Sequence, residues 1–184
     1  MNIALVIGKK NSVGVPGKNI RQIIGRPAAE YAFIAAKYSN IDKIYVSTDC
    51  EVIADIVSNY DAVHIKRPAE LATPDALTED ALIHAYEAIK KDLENIEINT
   101  ISLLFCNNPA IDVEKLNEAI SFLSSSADFD SCFSVAKYDM FSPARARKVD
   151  KNLEIKPFVD LKHLSNVSSI RDSQGSSYFC DLSI

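Results

Sequence analysis

A loop near the amino terminus combines the residue types that bind phosphate groups. It reads Gly8-Lys9-Lys10-Asn11-Ser12-Val13-Gly14-Val15-Pro16-Gly17-Lys18-Asn19. Glycines expose backbone N–H groups, lysines reach several phosphate oxygens, and Ser12 and Asn19 can add hydrogen bonds. The loop is not a Walker A motif, because Asn19 follows Gly17-Lys18, and its glycines supply only half of a G-x-G-x-x-G pattern. Phosphate binding is one interpretation, and a surface turn kept soluble by its lysines is the other.

The elements around this loop predict where it would lie in the fold. Apolar runs of strand length alternate with segments of helical period. The predicted strands cover residues 2–7, 43–47, 62–65 and 100–106, and the predicted helices cover 28–38, 77–93 and 112–123, with a further helix capped by Thr48-Asp49. This alternation predicts a three-layer α/β fold with a mostly parallel, Rossmann-like sheet between helices. Ligands of such sheets bind where strands end and helices begin, which is the place of the loop.

The carboxyl-terminal part follows a different pattern. Phe133-Ser134-Val135 is expected to continue the sheet, whereas the sequence from Phe141 onward becomes irregular and polar. We therefore expect one domain over residues 1–184, with an α/β core over 1–140. Residues 141–174 are expected to form a meander of short strands, which is typical of an arm that packs on another subunit.

Composition excludes several classes of protein. Of the 184 residues, 47% are hydrophobic and 24% charged, which excludes disordered and collagen-like chains. No apolar run reaches the roughly 18 residues of a membrane span, and no basic leader precedes the first strand, so we expect neither membrane segment nor signal peptide. The net charge of −5 comes without a basic stripe. This argues against nucleic acid as a partner.

The cysteines and histidines have no metal-site spacing. No C-x-x-C pair occurs, and the histidines are isolated from one another. The residues concerned are Cys50, Cys106, Cys132, Cys180, His64, His84 and His163. Scattered cysteines of this kind indicate reduced structural thiols and a cytoplasmic protein.

Several motifs, in order along the chain, resemble those of one enzyme family. The loop aligns without a gap with the form A-R-x-G-S-K-x-x-x-x-K-N. Further matches are Gly25-Arg26-Pro27 with G-K-P, Val46-Ser47-Thr48-Asp49 with V-S-T-D, Arg67-Pro68-Ala69-Glu70-Leu71-Ala72 with R-P-x-x-L-A, Leu103-Leu104-Phe105-Cys106-Asn107-Asn108-Pro109 with L-L-Q-P-T-S-P, and Gly175-Ser176-Ser177-Tyr178-Phe179 with N-G-A-I-Y. On these residues the chain resembles the acylneuraminate cytidylyltransferases, or CMP-sialic acid synthetases. It is more distantly similar to the KDO cytidylyltransferases.

The resemblance implies a nucleotidyltransferase that forms a CMP-sugar from CTP and a 2-keto sugar acid, with release of pyrophosphate. The acid would be sialic, legionaminic or pseudaminic in type, Mg²⁺ would be the cofactor, and the product would serve lipopolysaccharide or capsule assembly. Family members also form homodimers through the region that corresponds to residues 141–174. By position, Lys18 becomes the catalytic contact to phosphate. The implied nucleotide-binding residues are Gly8, Lys9, Ser12, Lys18, Asn19, Arg67 and Thr78, and the implied substrate-binding residues are Phe105, Asn107 and Asn108.

Three of the polar residues in these motifs have structural interpretations that the sequence leaves open. Arg67 could form an ion pair, Thr78 could be a helix cap, and Asp49 suits a helix cap as well as a ligand contact. The structure is needed to separate these roles.

The chain also departs from the family pattern. Lys9 replaces an arginine and Val13 replaces a second loop cation, while Phe105, Cys106 and Ile111 replace glutamine, proline and arginine. These changes predict a more apolar pocket. The I-D-x-x-x-D stretch that supplies metal-binding aspartates in the family is absent, so the metal ligands are unknown. The departures leave open an acceptor other than a nine-carbon acid, and a catalytically impaired or truncated homologue that acts as a nucleotide-binding or scaffold subunit.

Overall fold

The computed structural model describes residues 1–11, 14–137, 146–160 and 178–180. Its strands are β1 Asn2–Ile7, β2 Gln22–Ile23, β3 Arg26–Pro27, β4 Lys43–Thr48, β5 Val63–Lys66, β6 Thr100–Phe105, β7 Val135–Lys137, β8 Arg147–Val149, β9 Ile155–Pro157 and β10 Tyr178–Cys180. Its α-helices are α1 Ala28–Lys37, α2 Glu51–Val57, α3 Thr78–Leu93 and α4 Val113–Ser125. Short 3-10 turns cover Lys18–Ile20 and Ala69–Ala72.

The central sheet is parallel and has the strand order β5-β4-β1-β6. In its register, Val6 of β1 lies opposite Val46 of β4 and Leu104 of β6. Parallel neighbours require crossover connections, and α1, α2 and α3 lie in the segments that join them. The predicted α/β class is therefore confirmed.

Helices cover both faces of this sheet. Ala4 and Val6 of β1 pack with α1 and α2, whereas Ile3 and Leu5 pack with α3. Successive side chains of a strand point to opposite faces, so the continuous apolar run of β1 fills two separate clusters. The buried face of α1 is mostly alanine around Phe33, which lets this helix lie close to the sheet.

The chain divides into two units, Met1–Cys132 and Phe133–Leu182. In the second unit, β7 pairs with β10 and β8 pairs with β9, both antiparallel. The expectation that Phe133-Ser134-Val135 continues the central sheet is wrong, because the partner of β7 is β10. The expected core boundary at residue 140 lies outside the described residues. Of the expected arm, only residues 146–160 are described, and they hold the β8–β9 hairpin.

Across the described ranges, no helix combines the length and the apolar character needed to cross a bilayer.

The turn between β2 and β3 holds a β-branched residue in a left-handed conformation. Ile24 has a φ of 47°, is followed by Gly25 at 79°, and its side chain is 93% exposed. Two-residue hairpin turns with positive φ at both positions favour Asn-Gly. We expect Ile24→Asn to raise the free energy of unfolding by about 1 kcal/mol, because it relieves backbone strain without removing a buried contact. Urea denaturation measures this change. Ile96→Asn, an exposed loop isoleucine without positive φ, is the control, and an equal effect of both substitutions would contradict the strain argument.

Candidate functional site

A cavity of about 210 Å³ lies at the carboxyl ends of β1, β5 and β6. Its wall consists of Ile7, Gly8, Lys9, Lys18, Asn19, Arg67, Leu71, Ala76, Leu77, Thr78, Ala81, Phe105 and Asn107. This is the edge at which open parallel sheets bind ligands. Eight of the residues that the sequence singled out therefore share one pocket, although they come from four separate segments of the chain.

The first loop brings two lysines to this pocket. Gly17 has a φ of 68°, a conformation that suits glycine, and it begins the 3-10 turn that carries Lys18. Lys18 is half-buried in the pocket wall. Lys9 is also half-buried, and its Nζ donates a hydrogen bond to the carbonyl oxygen of Thr73 at 3.2 Å. Both lysines thus line a cavity, which favours a ligand-binding loop over a solvated surface turn.

Asn19 offers a buried acceptor to the pocket. The residue is 6% exposed, and its Nδ2 donates to the carbonyl oxygen of Lys9 at 2.9 Å, which fixes the orientation of the amide. Its Oδ1 is buried without a partner among the described residues. A buried acceptor in this state is costly unless a ligand donates to it. A ribose hydroxyl can donate, whereas an ionised phosphate oxygen cannot.

Arg67 is a buried cation held by neutral acceptors. Its Nη2 donates to the carbonyl oxygen of Ser47 at 2.8 Å, and its Nε donates to Ser47 Oγ at 3.2 Å. Burial lowers the pKa of Arg67 from its ordinary value, and the negative charge of Asp49 opposes this effect. The ion-pair interpretation is not supported within the described residues, since Arg67 makes no salt bridge there. Its charge remains available to the pocket.

The amino-terminal turn of α3 borders the same pocket. Thr78 is the first helical residue, and the N-cap position belongs to Leu77. The helix-cap interpretation of Thr78 is therefore wrong. Thr78 instead lines the pocket. The positive end of the helix macrodipole adds to the attraction for an anion.

Asp49 does not cap α2. The N-cap of this helix is Cys50, which makes no side-chain cap, and its N–H donates to Thr48 Oγ1 at 3.0 Å. Asp49 Oδ1 instead accepts a hydrogen bond from the N–H of Lys10 at 2.8 Å. The carboxylate thereby fixes the start of the first loop against the end of β4.

The segment after β6 contributes two of its three expected substrate contacts. Phe105 and Asn107 line the pocket. Asn108 does not line it: its N–H donates to the Phe105 carbonyl oxygen, and its Oδ1 accepts from the N–H of Ala110 at 3.2 Å. The structure thus does not bring Asn108 to the pocket wall, because the turn engages its side chain locally, and its contact with substrate stays a prediction.

Two of the expected pocket changes lie in the core instead. Cys106 is fully buried, and Ile111 packs against the same cluster on the α1 and α2 face of the sheet. Among the described residues, Phe105 is the one replacement by an apolar residue that lines the pocket. Ser12 and Val13 lie outside the described residues.

Sequence and structure comparisons decide the family. Residues 3–177 match the family model described as "Cytidylyltransferase". The chain belongs to the cytidylyltransferase family. N-acylneuraminate cytidylyltransferase A of Danio rerio is 28% identical over 149 residues, which are 80% of this chain and 32% of that relative. The chain thus spans about a third of the length of this relative.

Two further relatives agree with this assignment. CMP-N,N'-diacetyllegionaminic acid synthase of Legionella pneumophila is 29% identical over 183 residues, covering 96% of this chain and 76% of that protein. The solved structure of CMP:2-keto-3-deoxy-manno-octonic acid synthetase complexed with CTP superposes with a TM-score of 0.52 at 17% identity, covering 74% of this chain and 51% of that one. The family model and the two relatives confirm the resemblance to acylneuraminate cytidylyltransferases. The superposition with the solved synthetase structure supports the fold.

The described residues of this family member do not build a metal site. No group of three His, Cys, Asp or Glu side chains in the described ranges could hold an ion. The described pocket wall also carries no carboxylate, the ligand that Mg²⁺ prefers in proteins. Within the described ranges, therefore, no protein ligand is assigned to Mg²⁺.

The pocket also contains residues that the sequence interpretation left out. They are Ile7, Leu71, Ala76, Leu77 and Ala81. Leu71 was visible in the R-P-x-x-L-A match, but its apolar side chain carried no chemical signal. The others follow only from the packing of α3 against the sheet.

Cys50, Cys106 and Cys132 are free thiols, as expected, with Cys50 and Cys106 buried and Cys132 exposed. Burial raises the pKa of the Cys106 thiol from 9.0 to about 12. The native state thus keeps a proton that the unfolded chain loses above pH 9.0, so this group contributes stability below that pH and loses it toward pH 12.

We expect iodoacetamide at about pH 8 to modify Cys132 and to spare Cys50 and Cys106 in the folded protein, because access and thiolate fraction both control alkylation. Peptide mass spectrometry measures each site. Modification of all three in denaturant is the control. Equal labelling of Cys106 and Cys132 in the native protein would contradict the burial of Cys106.

Proposed function

We propose that this chain binds CTP in the described pocket and transfers CMP to a 2-keto sugar acid of the sialic or legionaminic type. Membership of the family and the activities for which the relatives are named support this proposal. The observation that carries it is the convergence of Lys9 and Lys18 on one cavity whose described wall holds no carboxylate, with the buried cation Arg67 on its nucleoside side. A triphosphate is the ligand that such a surplus of positive charge suits best.

The chemistry requires positioning and charge neutralisation rather than a covalent intermediate. The anomeric hydroxyl oxygen of the acid forms a bond to the α-phosphorus of CTP. The bond from that phosphorus to the bridging oxygen breaks, pyrophosphate leaves with the electron pair, and the hydroxyl proton passes to solvent. Lys18 is the residue we assign to the charge that develops on the α-phosphate, because it is a cation of the pocket wall with no described partner for its Nζ.

The nucleoside part would meet the other side of the pocket. Arg67 and Thr78 are assigned to the base, and Asn19 Oδ1 to a ribose hydroxyl, since that buried acceptor needs a donor. Phe105 and Asn107 are left for the sugar acid.

Pyrophosphate release tests this function. The protein is incubated with CTP, Mg²⁺ and a panel of 2-keto sugar acids, and pyrophosphate is measured with each acid and without acid. Release that requires both CTP and one of the acids supports the proposal. CTP binding without release for any acid would favour the second candidate, a nucleotide-binding or scaffold subunit, which the apolar Phe105 in the pocket wall favours.

Four further features are proposed with this function. Mg²⁺ would be the cofactor, with its charge-neutralising chemistry at the triphosphate and no ligand assigned in the protein. The protein would act in the cytoplasm in lipopolysaccharide or capsule assembly, as a homodimer. Size-exclusion chromatography with light scattering tests the dimer, and a monomer at micromolar concentration would contradict it.

A further inference from the structure

We propose that Ser47 is a positioning residue that orients the Arg67 guanidinium toward the bound nucleotide. This inference rests on the proposed function. Ser47 is the penultimate residue of β4, is fully buried, and does not itself line the pocket. A buried hydroxyl at such a place is costly unless it makes a specific hydrogen bond.

Two hydrogen bonds from one residue hold the guanidinium by its edge. Ser47 Oγ accepts from Arg67 Nε at 3.2 Å, and the Ser47 carbonyl oxygen accepts from Nη2 at 2.8 Å. A guanidinium is planar, so two contacts on one edge fix both its direction and its plane. The backbone N–H of Arg67 also donates to the Thr48 carbonyl oxygen at 3.1 Å, which anchors the other end of the residue to β4.

Ser47 also connects Arg67 with the phosphate-binding loop. Its carbonyl oxygen accepts the N–H of Gly8 at 3.3 Å as well as the bond from Arg67. Gly8 and Arg67 both line the pocket. Ser47 therefore holds both Gly8 and Arg67 in place from outside the pocket wall. A substitution to alanine removes its hydroxyl and leaves its carbonyl oxygen.

The ligand-free protein provides the first test. We expect Ser47→Ala to accelerate exchange of the Arg67 Nε proton with water by about tenfold or more, because Nε loses its acceptor. Nuclear magnetic resonance measures this exchange, with the signal assigned from Arg67→Met. Thr48→Val is the matched control: it removes the neighbouring buried hydroxyl, which bonds Cys50 and not the Arg67 side chain. Unchanged exchange in Ser47→Ala would overturn the proposal.

CTP affinity, measured by calorimetry in a double-mutant cycle, provides the second test. We expect Ser47→Ala to raise the Kd by about tenfold, the loss of one hydrogen bond to a charged group. In an Arg67→Met background the same change should have little effect, because Ser47 acts through Arg67. Thr48→Val should lower the thermal midpoint with an unchanged Kd. A purely structural Ser47 would behave like Thr48.

The outcomes separate this inference from the proposed function. If the wild type binds CTP and Ser47→Ala binds it equally well, the positioning role is overturned and the function stands. If Ser47→Ala weakens CTP binding equally in both backgrounds, Ser47 does not act through Arg67. The wild type could fail to bind CTP although the Arg67 Nε proton exchanges faster in Ser47→Ala than in Thr48→Val. In that case the proposed function is overturned, and Ser47 only holds Arg67 in the fold.

Discussion

Lys18→Ala should weaken CTP binding by about 10- to 100-fold, the loss expected for a hydrogen-bonded charge contact to phosphate. Lys18 lines the pocket half-buried, on the 3-10 turn that begins after Gly17, and its Nζ has no partner among the described residues. Removing the side chain should leave folding intact, since its Nζ makes no described hydrogen bond. Calorimetric titration of CTP and a thermal melt measure both quantities.

Lys91→Ala is the matched control for this substitution. It makes the same change of charge on an exposed lysine of α3, in the last turn of that helix and away from the pocket wall. We expect its Kd for CTP to equal that of the wild type. Equal weakening by both variants would show a general electrostatic effect and remove Lys18 from the site.

Gly8→Ala should destabilise the protein by about 1–3 kcal/mol, because it adds a methyl group to a filled core. A Cβ at Gly8 would lie 2.6 Å from Cys106 Sγ, 2.7 Å from Cys106 Cβ and 3.2 Å from Ile53 Cδ1. Cys106 is fully buried and cannot move away easily. The clash would also displace the start of the first loop, so the affinity for CTP should fall as well. Urea denaturation measures the stability change.

Two variants separate this clash from other consequences of losing a glycine. Gly14→Ala is the control, because nothing lies within 4 Å of its Cβ position and its φ is not in the left-handed region, so stability should not change. Cys106→Gly removes both atoms that approach most closely, and in that background Gly8→Ala should cost less. An undiminished cost in the double variant would contradict the contact between Gly8 and Cys106.

The sequence was a good guide to the main fold because its central strands are buried on both faces. Continuous apolar runs such as residues 2–7 predict this burial directly, and the strand bounds agree within a residue or two. Phe133-Ser134-Val135 also suggested a strand of this sheet, but the strand there begins at Val135 and pairs with β10. Pairing partners far apart in sequence are not encoded in local periodicity, which explains the error.

The sequence predicted which residues form the pocket better than it predicted their orientations and hydrogen bonds. The motif matches placed Lys18, Arg67 and Thr78 at one site, and the structure brings them together. They could not show that Cys106 and Ile111 pack in the core, because the direction of side chains in the segment after β6 depends on tertiary packing. Nor could they show that Ser47 holds Arg67, since a hydrogen bond between β4 and the end of β5 depends on tertiary packing.

The central claim is that this pocket binds CTP selectively, and calorimetric titration of the purified chain with CTP tests it most directly. ATP and UTP serve as controls, each with and without Mg²⁺. We expect CTP to bind with a stoichiometry of one per chain and more tightly than UTP or ATP, and Mg²⁺ to tighten it. Heats of binding that are absent for all three nucleotides, or equal among them, would contradict the account.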